Sequence, residues 1–236
     1  RSESGIVPVL GSELQVGMRI PVALQIPEAP EPTMAMIQGD VRFDLTYNFG
    51  WVCGMYLADG SMNGNHVIIT KISPVVEERL RAFVKPFKWE FSTRNYQGAY
   101  GPSKSNTIHS KDLHDFLLEQ FKTGSYDKVI PSFVHSSSTA FIRGLISGFF
   151  DGDGNACASP GHLAIRASSR NKELIDGMAS LLGYVGILGC LCQEKSVNYP
   201  DQTQYTLQIP LKYAEAFQER ITFHLPEKVF AIAGDL

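Results

Sequence analysis

A chain of 236 residues, 44% hydrophobic and 19% charged, has an ordinary globular composition and enough length to bury a core as one large domain or two small ones. Its apolar runs reach only about ten residues before an Asp or Gly interrupts them, so none reads as a membrane span. The net charge of −3 does not by itself advertise a polyanion binder.

No charged-then-apolar leader opens the chain, which sets the expectation of an intracellular, nucleoid-associated protein. Residues 5–26 read as short strands with glycine turns, and PEAPEPT (27–33) as a Pro/Glu linker, so 1–33 is expected to be a small β appendage. The acidic excess sits at this end. Residues 1–46 carry three Arg/Lys against six Asp/Glu, whereas 47–236 balance at eighteen against eighteen. Between Lys85 and Lys111 five cations face the single anion Glu90 among aromatics, a stretch suited to tracking phosphates or to an ordinary solvated face.

One pattern then runs twice. The first copy predicts a helix over 48–58 closed by Asp59-Gly60, a strand near 65–72, and a helix over 74–86 opened by Pro74. Strands near 88–97 and 105–110 and a helix over 111–121 complete it, and 122–137 connects to the second copy. That copy predicts a helix over 138–150, a strand near 161–168, a helix over 170–182, strands near 187–197 and 203–209, and a helix over 211–221. With a short strand after each acidic motif, the reading is one α+β domain of two αββαββα halves related by a pseudo-two-fold axis, 34–124 and 125–236.

YNFGWVCGMYLADGS (47–61) overlays FIRGLISGFFDGDGN (141–155) without a gap. Gly50 falls on Gly144, Gly54 on Gly148 and Asp59 on Asp153. Glycines four apart form a flat stripe on each helix and let two backbones approach closely. Packed in parallel, the helices would present Asp59 and Asp153 side by side at their carboxy-terminal ends, where the macrodipole disfavours an anion. Mutual repulsion adds to that cost, and a Mg²⁺ ion relieves both, so the pair reads as a metal site for phosphodiester hydrolysis. Asp151 faces Leu57 in the other copy, so it is assigned a structural or supporting place. An EF-hand reading of Asp151–Asn155 fails, since its sixth and twelfth positions are Ala156 and His162. Cys53 suits the core, Cys190 and Cys192 suit packing on one strand face, and His66, His109, His114 and His162 show no ligand spacing.

The motifs VCGMYLADG (52–60) and ISGFFDGDG (146–154) resemble those of the LAGLIDADG homing endonucleases, over about residues 44–225. GSELQVGMRIPVA (11–23) resembles part of an intein splicing domain, so the whole is similar to the endonuclease portion of an archaeal-type intein. A chain beginning at Arg1 and ending AIAGDL lacks the terminal residues of splicing and is not expected to splice as given. The resemblance implies a monomer without an obligate protein partner, cutting both strands of a long non-palindromic double-stranded DNA site. It implies Mg²⁺, with Mn²⁺ as a substitute, on Asp59 and Asp153, and leaves a backbone ligand at position 58 open. It also implies a lysine near the start of the last helix of each half, met by Lys111 and, less directly, by Lys212, because Leu211 stands opposite Lys111. Candidate base-reading residues on strands are Thr70, Arg94, Asn95, Gln97, Lys104, Asn106, Arg166, Lys195, Gln202, Gln204 and Gln208. A catalytically inactive DNA-binding protein of the same fold, such as a splicing cofactor or regulator, is the alternative.

Overall fold

The computed structural model describes residues 8–18, 23, 25–99, 101–159, 162–195 and 201–228, with the side chains of 157–159 and 162–164 outside the description. A hairpin of β1 (Ala35–Gln38) and β2 (Val41–Asp44) leads into α1 (Tyr47–Asp59). The first half continues through β3 (Gly60–Asn63), β4 (His66–Thr70), α2 (Pro74–Val84), β5 (Glu90–Gly98), β6 (Gly101–His109) and α3 (Lys111–Phe121). A short α4 (Ser132–His135) precedes the second half: α5 (Thr139–Asp153), β7 (Gly154–Ser159), β8 (His162–Ser169), α6 (Lys172–Leu182), β9 (Cys190–Lys195), β10 (Thr203–Ile209) and α7 (Ala214–Arg220).

Each half has one antiparallel four-stranded sheet, and the orders β3-β4-β6-β5 and β7-β8-β10-β9 correspond strand for strand. Register corresponds too. Gly60 opposes Ile69 in the first sheet and Gly154 opposes Ala167 in the second, so Lys71 and Ser169 occupy matching places. The helices start where the sequence supplies a capping side chain. Thr46, Ser73, Ser110, Ser138 and Asn171 each accept a hydrogen bond from the backbone N–H three residues on. Val67, Ile69 and Ile108 on one sheet, and Ile165, Ala167, Leu207 and Ile209 on the other, turn inward and join a single core with the buried aromatics Phe43, Phe49, Trp51, Phe116, Phe149 and Phe150. Alternation leaves the other face of each sheet turned away from the helices.

α1 and α5 form the centre and run in parallel. A Cβ added at Gly50 would lie 2.2 Å from Phe141 O, at Gly54 2.1 Å from Leu145 O, at Gly144 2.0 Å from Tyr47 O, and at Gly148 2.1 Å from Trp51 O. Both helices extend through their acidic residues. Gly152, expected just beyond the helix, therefore sits in its last turn, with a Cβ position only 2.3 Å from Ala58 Cβ.

The amino-terminal stretch differs from expectation. Residues 8–18 hold only a 3-10 turn at Gly11–Glu13 and no strand, while much of 19–24 lies outside the described residues. The Pro/Glu segment lies along the second half: Ile26 N donates to Gly183 O at 2.8 Å, and Thr139 Oγ1 to Glu28 Oε2 at 2.9 Å. Thr33 N donates to Ser136 O at 2.7 Å, fixing the point where the chain crosses to the first half. No described helix is long and apolar enough to cross a membrane.

Candidate active site

The glycine seam brings the last turns of α1 and α5 together, and with them Asp59 and Asp153. Burial, reinforced by the nearby Asp59 carboxylate, pushes the Asp153 carboxyl up to about 7; Lys71, Lys128 and Lys228 pull in the opposite direction without overcoming it. Asp59 is partly exposed, and its Oδ2 stands 3.0 Å from Lys71 Nζ. That oxygen is itself buried and makes no directed hydrogen bond.

Three lysines surround the pair. Lys128, 5% exposed, donates to Tyr56 O at 2.6 Å, Leu57 O at 3.2 Å and Gly60 O at 2.8 Å. Lys228 does the corresponding work on α5, donating to Phe150 O at 2.8 Å, Asp151 O at 2.6 Å and Gly152 O at 3.1 Å. Each ammonium thus gathers carbonyls at a helix end, one of which also accepts the C-cap N–H, and opposes the negative pole there. Burial lowers both to about 8. Lys71 follows β4, and its Nζ donates to Gly152 O at 2.8 Å.

Sequence reasoning missed these three, and it placed the lysine role elsewhere. Lys111 is 67% exposed and pairs with Asp115 on its own helix; Lys212 is exposed, its ammonium 4.8 Å from the Tyr213 ring. Neither reaches the carboxylates. A signal for two of the missed residues was available: Asp127-Lys128-Val129 and Glu227-Lys228-Val229 repeat after the last helix of each half.

Asp151 is fully buried and fully engaged. Its carboxylate accepts from Trp51 Nε1 at 2.8 Å and from His224 N at 2.9 Å, and His224 Nδ1 lies 2.8 Å away. The Tyr47 hydroxyl, which donates to Ser147 Oγ at 2.9 Å, stands 3.3 Å from His224 Nε2. This network ties both central helices to the carboxy-terminal segment and takes no part in the acid pair. Asp151→Ala leaves an indole N–H and a backbone N–H buried without acceptors, so urea unfolding should show a loss of about 3–5 kcal/mol.

A cleft of about 590 Å³ between the halves reaches Asp153 and is lined also by Lys128, Ser61, Ser168, Arg170 and Gln204. Among the described residues no three His, Cys, Asp or Glu side chains cluster as a metal cage. Two carboxylates, with Gly152 O beside Asp59, fit a hard cation that takes its remaining oxygens from water and phosphate.

Strand register sorts the candidate DNA contacts. Thr70, Arg94, Arg166, Gln204 and Gln208 lie on the sheet faces turned away from the helices, and Gln202 just precedes β10 on the same alternation. Ser105, Thr107 and His109 share the first of these faces. Asn95, Gln97, Lys104, Asn106 and Lys195 fall on the opposite, helix-side face. Lys104 is held by Glu77. Asn106 is fully buried and donates to Ile69 O and Lys71 O, both at 3.0 Å, so its place is structural. Cys190 and Cys192 face outward with Gln208 and Thr206 rather than into the core. His66 and His109 rings meet edge to face at 4.5 Å, His114 pairs with Asp115, and the His162 side chain is outside the described residues.

Comparison with known proteins agrees with this fold. Residues 140–222 match the model of a LAGLIDADG-like domain. The chain is 33% identical, over 97% of its length, to the DNA-directed RNA polymerase subunit Rpo1C of Methanocaldococcus jannaschii, of which it spans only 28%. Among solved structures it is similar to the homing endonuclease I-DmoI in complex with DNA and Mn, with a TM-score of 0.54, 15% identity, and coverage of 77% of this chain and 100% of that one. It is also similar to the N-terminal LAGLIDADG domain of DUF199/WhiA, with a TM-score of 0.52, 14% identity, and coverage of 77% and 86%. The chain therefore has the LAGLIDADG fold, built from two pseudo-symmetric halves, with a LAGLIDADG-like domain over residues 140–222.

Proposed function

We propose that this chain is a metal-dependent, site-specific DNA endonuclease of the homing type, acting as a monomer on a long non-palindromic duplex. The observation that carries the reading is the meeting of Asp59 and Asp153 at the ends of two seamed helices, with three lysine ammonium groups around them. A fold needs no acid pair whose own field opposes ionisation, whereas phosphodiester hydrolysis uses one. When bound, a divalent ion supplies Lewis-acid stabilisation of phosphoryl oxygens and a water of lowered pKa. Asp59 and Asp153 would supply the side-chain ligands, one at each of two adjoining centres. Mg²⁺ is the expected ion and Mn²⁺ a substitute, in keeping with the Mn in the I-DmoI complex. Lys128 and Lys228, held near 8 and each donating to three carbonyls, supply fixed positive charge beside the acids, Lys128 on the wall of the cleft where the phosphate must lie. Base recognition falls to the outward sheet faces carrying Thr70, Arg94, Arg166, Gln204 and Gln208.

The chain further reads as the endonuclease portion of an intein, working inside the cell. The resemblance at 11–23 supports this, as does the small share of a polymerase subunit that the chain matches. Selecting cleaved products from a random duplex library in Mg²⁺ tests the function: one long asymmetric site should be enriched, and no enrichment would count against it. The fold likeness to the WhiA domain favours a second reading, an inactive DNA-binding relative. Specific binding that never leads to nicking in Mg²⁺ would select it.

The charge cluster sets a pH dependence. Asp153 has a folded value raised from 3.8 to about 7, so the folded protein holds this proton more tightly than the unfolded chain. Its contribution to stability is full below about pH 4 and is lost as pH rises to about 7. For Lys128 and Lys228 the folded values fall from 10.5 to about 8, so their contribution is full above 10.5 and lost as pH falls towards 8. Urea unfolding across pH should show the decline between about 4 and 7, and Asp153→Asn should abolish it. Cleavage, needing ionised Asp153 and protonated lysines, should follow a bell, and bound metal should move the acidic limb below the metal-free value of about 7.

A further inference from the structure

The two halves match in helices, sheets and register, yet the surroundings of their acids differ at one position. Lys71, two residues beyond Ile69, places its ammonium 3.0 Å from Asp59 Oδ2 and 2.8 Å from Gly152 O. The matching residue of the second half, two beyond Ala167, is Ser169. Its Oγ is occupied in accepting from Asn171 N at 3.2 Å, and among the described residues no lysine of β8 takes the place beside Asp153 that Lys71 takes beside Asp59.

We propose that the Lys71 ammonium is a resident cation of the Asp59–Gly152 corner, so that a divalent ion enters this centre only by displacing it, whereas among the described residues no lysine ammonium is ion-paired with Asp153. The inference rests on the reading of Asp59 and Asp153 as metal ligands. A carboxylate oxygen and a helix-end carbonyl from the opposite helix are the oxygens a hard cation seeks, and Lys71 engages both. Lys71 is also held in place at its backbone. Its N donates to Lys104 O at 3.0 Å, and its carbonyl accepts from Asn106 Nδ2 at 3.0 Å, so the buried Asn106 positions the start of the side chain. The contact with Asp59 is electrostatic without a directed hydrogen bond, because Asp59 Oδ2 makes none. It is therefore the contact a stronger cation can replace. After displacement Gly152 O keeps its donor Lys228, at 3.1 Å.

The consequence is an enzyme with two unequal centres. One loads metal directly, and the other exchanges a protein cation for a metal cation, so the strand served by the Asp59 centre needs the higher metal concentration.

Mn²⁺ binding to the DNA-free protein tests this, read as loss of the free-ion electron paramagnetic resonance signal. Lys71→Met should tighten Mn²⁺ binding roughly tenfold or more. Lys71→Arg, which keeps the charge, should bind like the parent protein, and Asp59→Asn added to Lys71→Met should erase the gain. Circular dichroism establishes that each variant is folded. Unchanged affinity in Lys71→Met, with binding still lost in Asp153→Asn, overturns the role of Lys71 alone. Absence of Mn²⁺ binding by every variant overturns the metal-ligand reading and the inference with it.

Discussion

Asp153→Asn should abolish DNA cleavage, by a factor of about 10³ or more, while leaving affinity for the duplex close to that of the parent protein. The substitution keeps the size of the side chain at the end of α5 and removes the charge that metal binding requires. It also relieves the cost of ionising a carboxyl that burial and Asp59 hold near 7, so the variant should be no less stable than the parent. Binding should survive because the proposed reading faces lie on β4–β6 and β8–β10, away from the helix ends. Single-turnover cleavage and equilibrium binding on one selected duplex separate the two effects. Equal cleavage by parent and variant would remove Asp153 from the chemistry.

Gly148→Ala should be among the most damaging single-methyl additions in the protein. The new Cβ would lie 2.1 Å from Trp51 O and 2.9 Å from Met55 N, both backbone atoms of the facing helix. Neither can rotate away, so α1 and α5 must separate along the seam. A loss of about 3 kcal/mol or more is expected, a fall in Tm of roughly 10 °C for a domain of this size. Separation also displaces Asp59 from Asp153, and metal binding should weaken with stability. Gly11→Ala, with nothing within 4 Å of its added Cβ, is the matched control and should leave Tm unchanged. A Gly148→Ala protein as stable as this control would contradict the seam.

What could be read in the sequence follows from what is local or repeated. The glycine stripes and terminal acids recur at identical spacing in two helices, so comparing the copies identified the seam pattern and assigned Asp151 a supporting place. Its buried network with Trp51 and His224 agrees with that assignment. The site lysines were harder. Lys71, Lys128 and Lys228 reach the acids from three separate segments whose distances along the chain from Asp59 and Asp153 share no common value. Lys111 stood at a regular helix start, but its position on an exposed face leaves Asp115 as its partner. Asn106 shows a different limit. An asparagine on a strand reads as an outward polar residue, yet this one occupies a core position, where its amide donates to Ile69 O in β4 and to Lys71 O just beyond it. The Pro/Glu stretch reads as a linker by composition, and only tertiary structure supplies Gly183 and Ser136 as its hydrogen-bond partners.

The most direct test of the central claim, that the acid pair at the helix seam cuts DNA, is strand-resolved cleavage of a selected duplex. The two strands carry different labels, the protein is bound in chelator, and Mg²⁺ is then added. A stable complex without cleavage is expected in chelator, followed by breaks at one position on each strand after Mg²⁺. A complex that forms with the same specificity and leaves both strands intact after Mg²⁺ would contradict the claim.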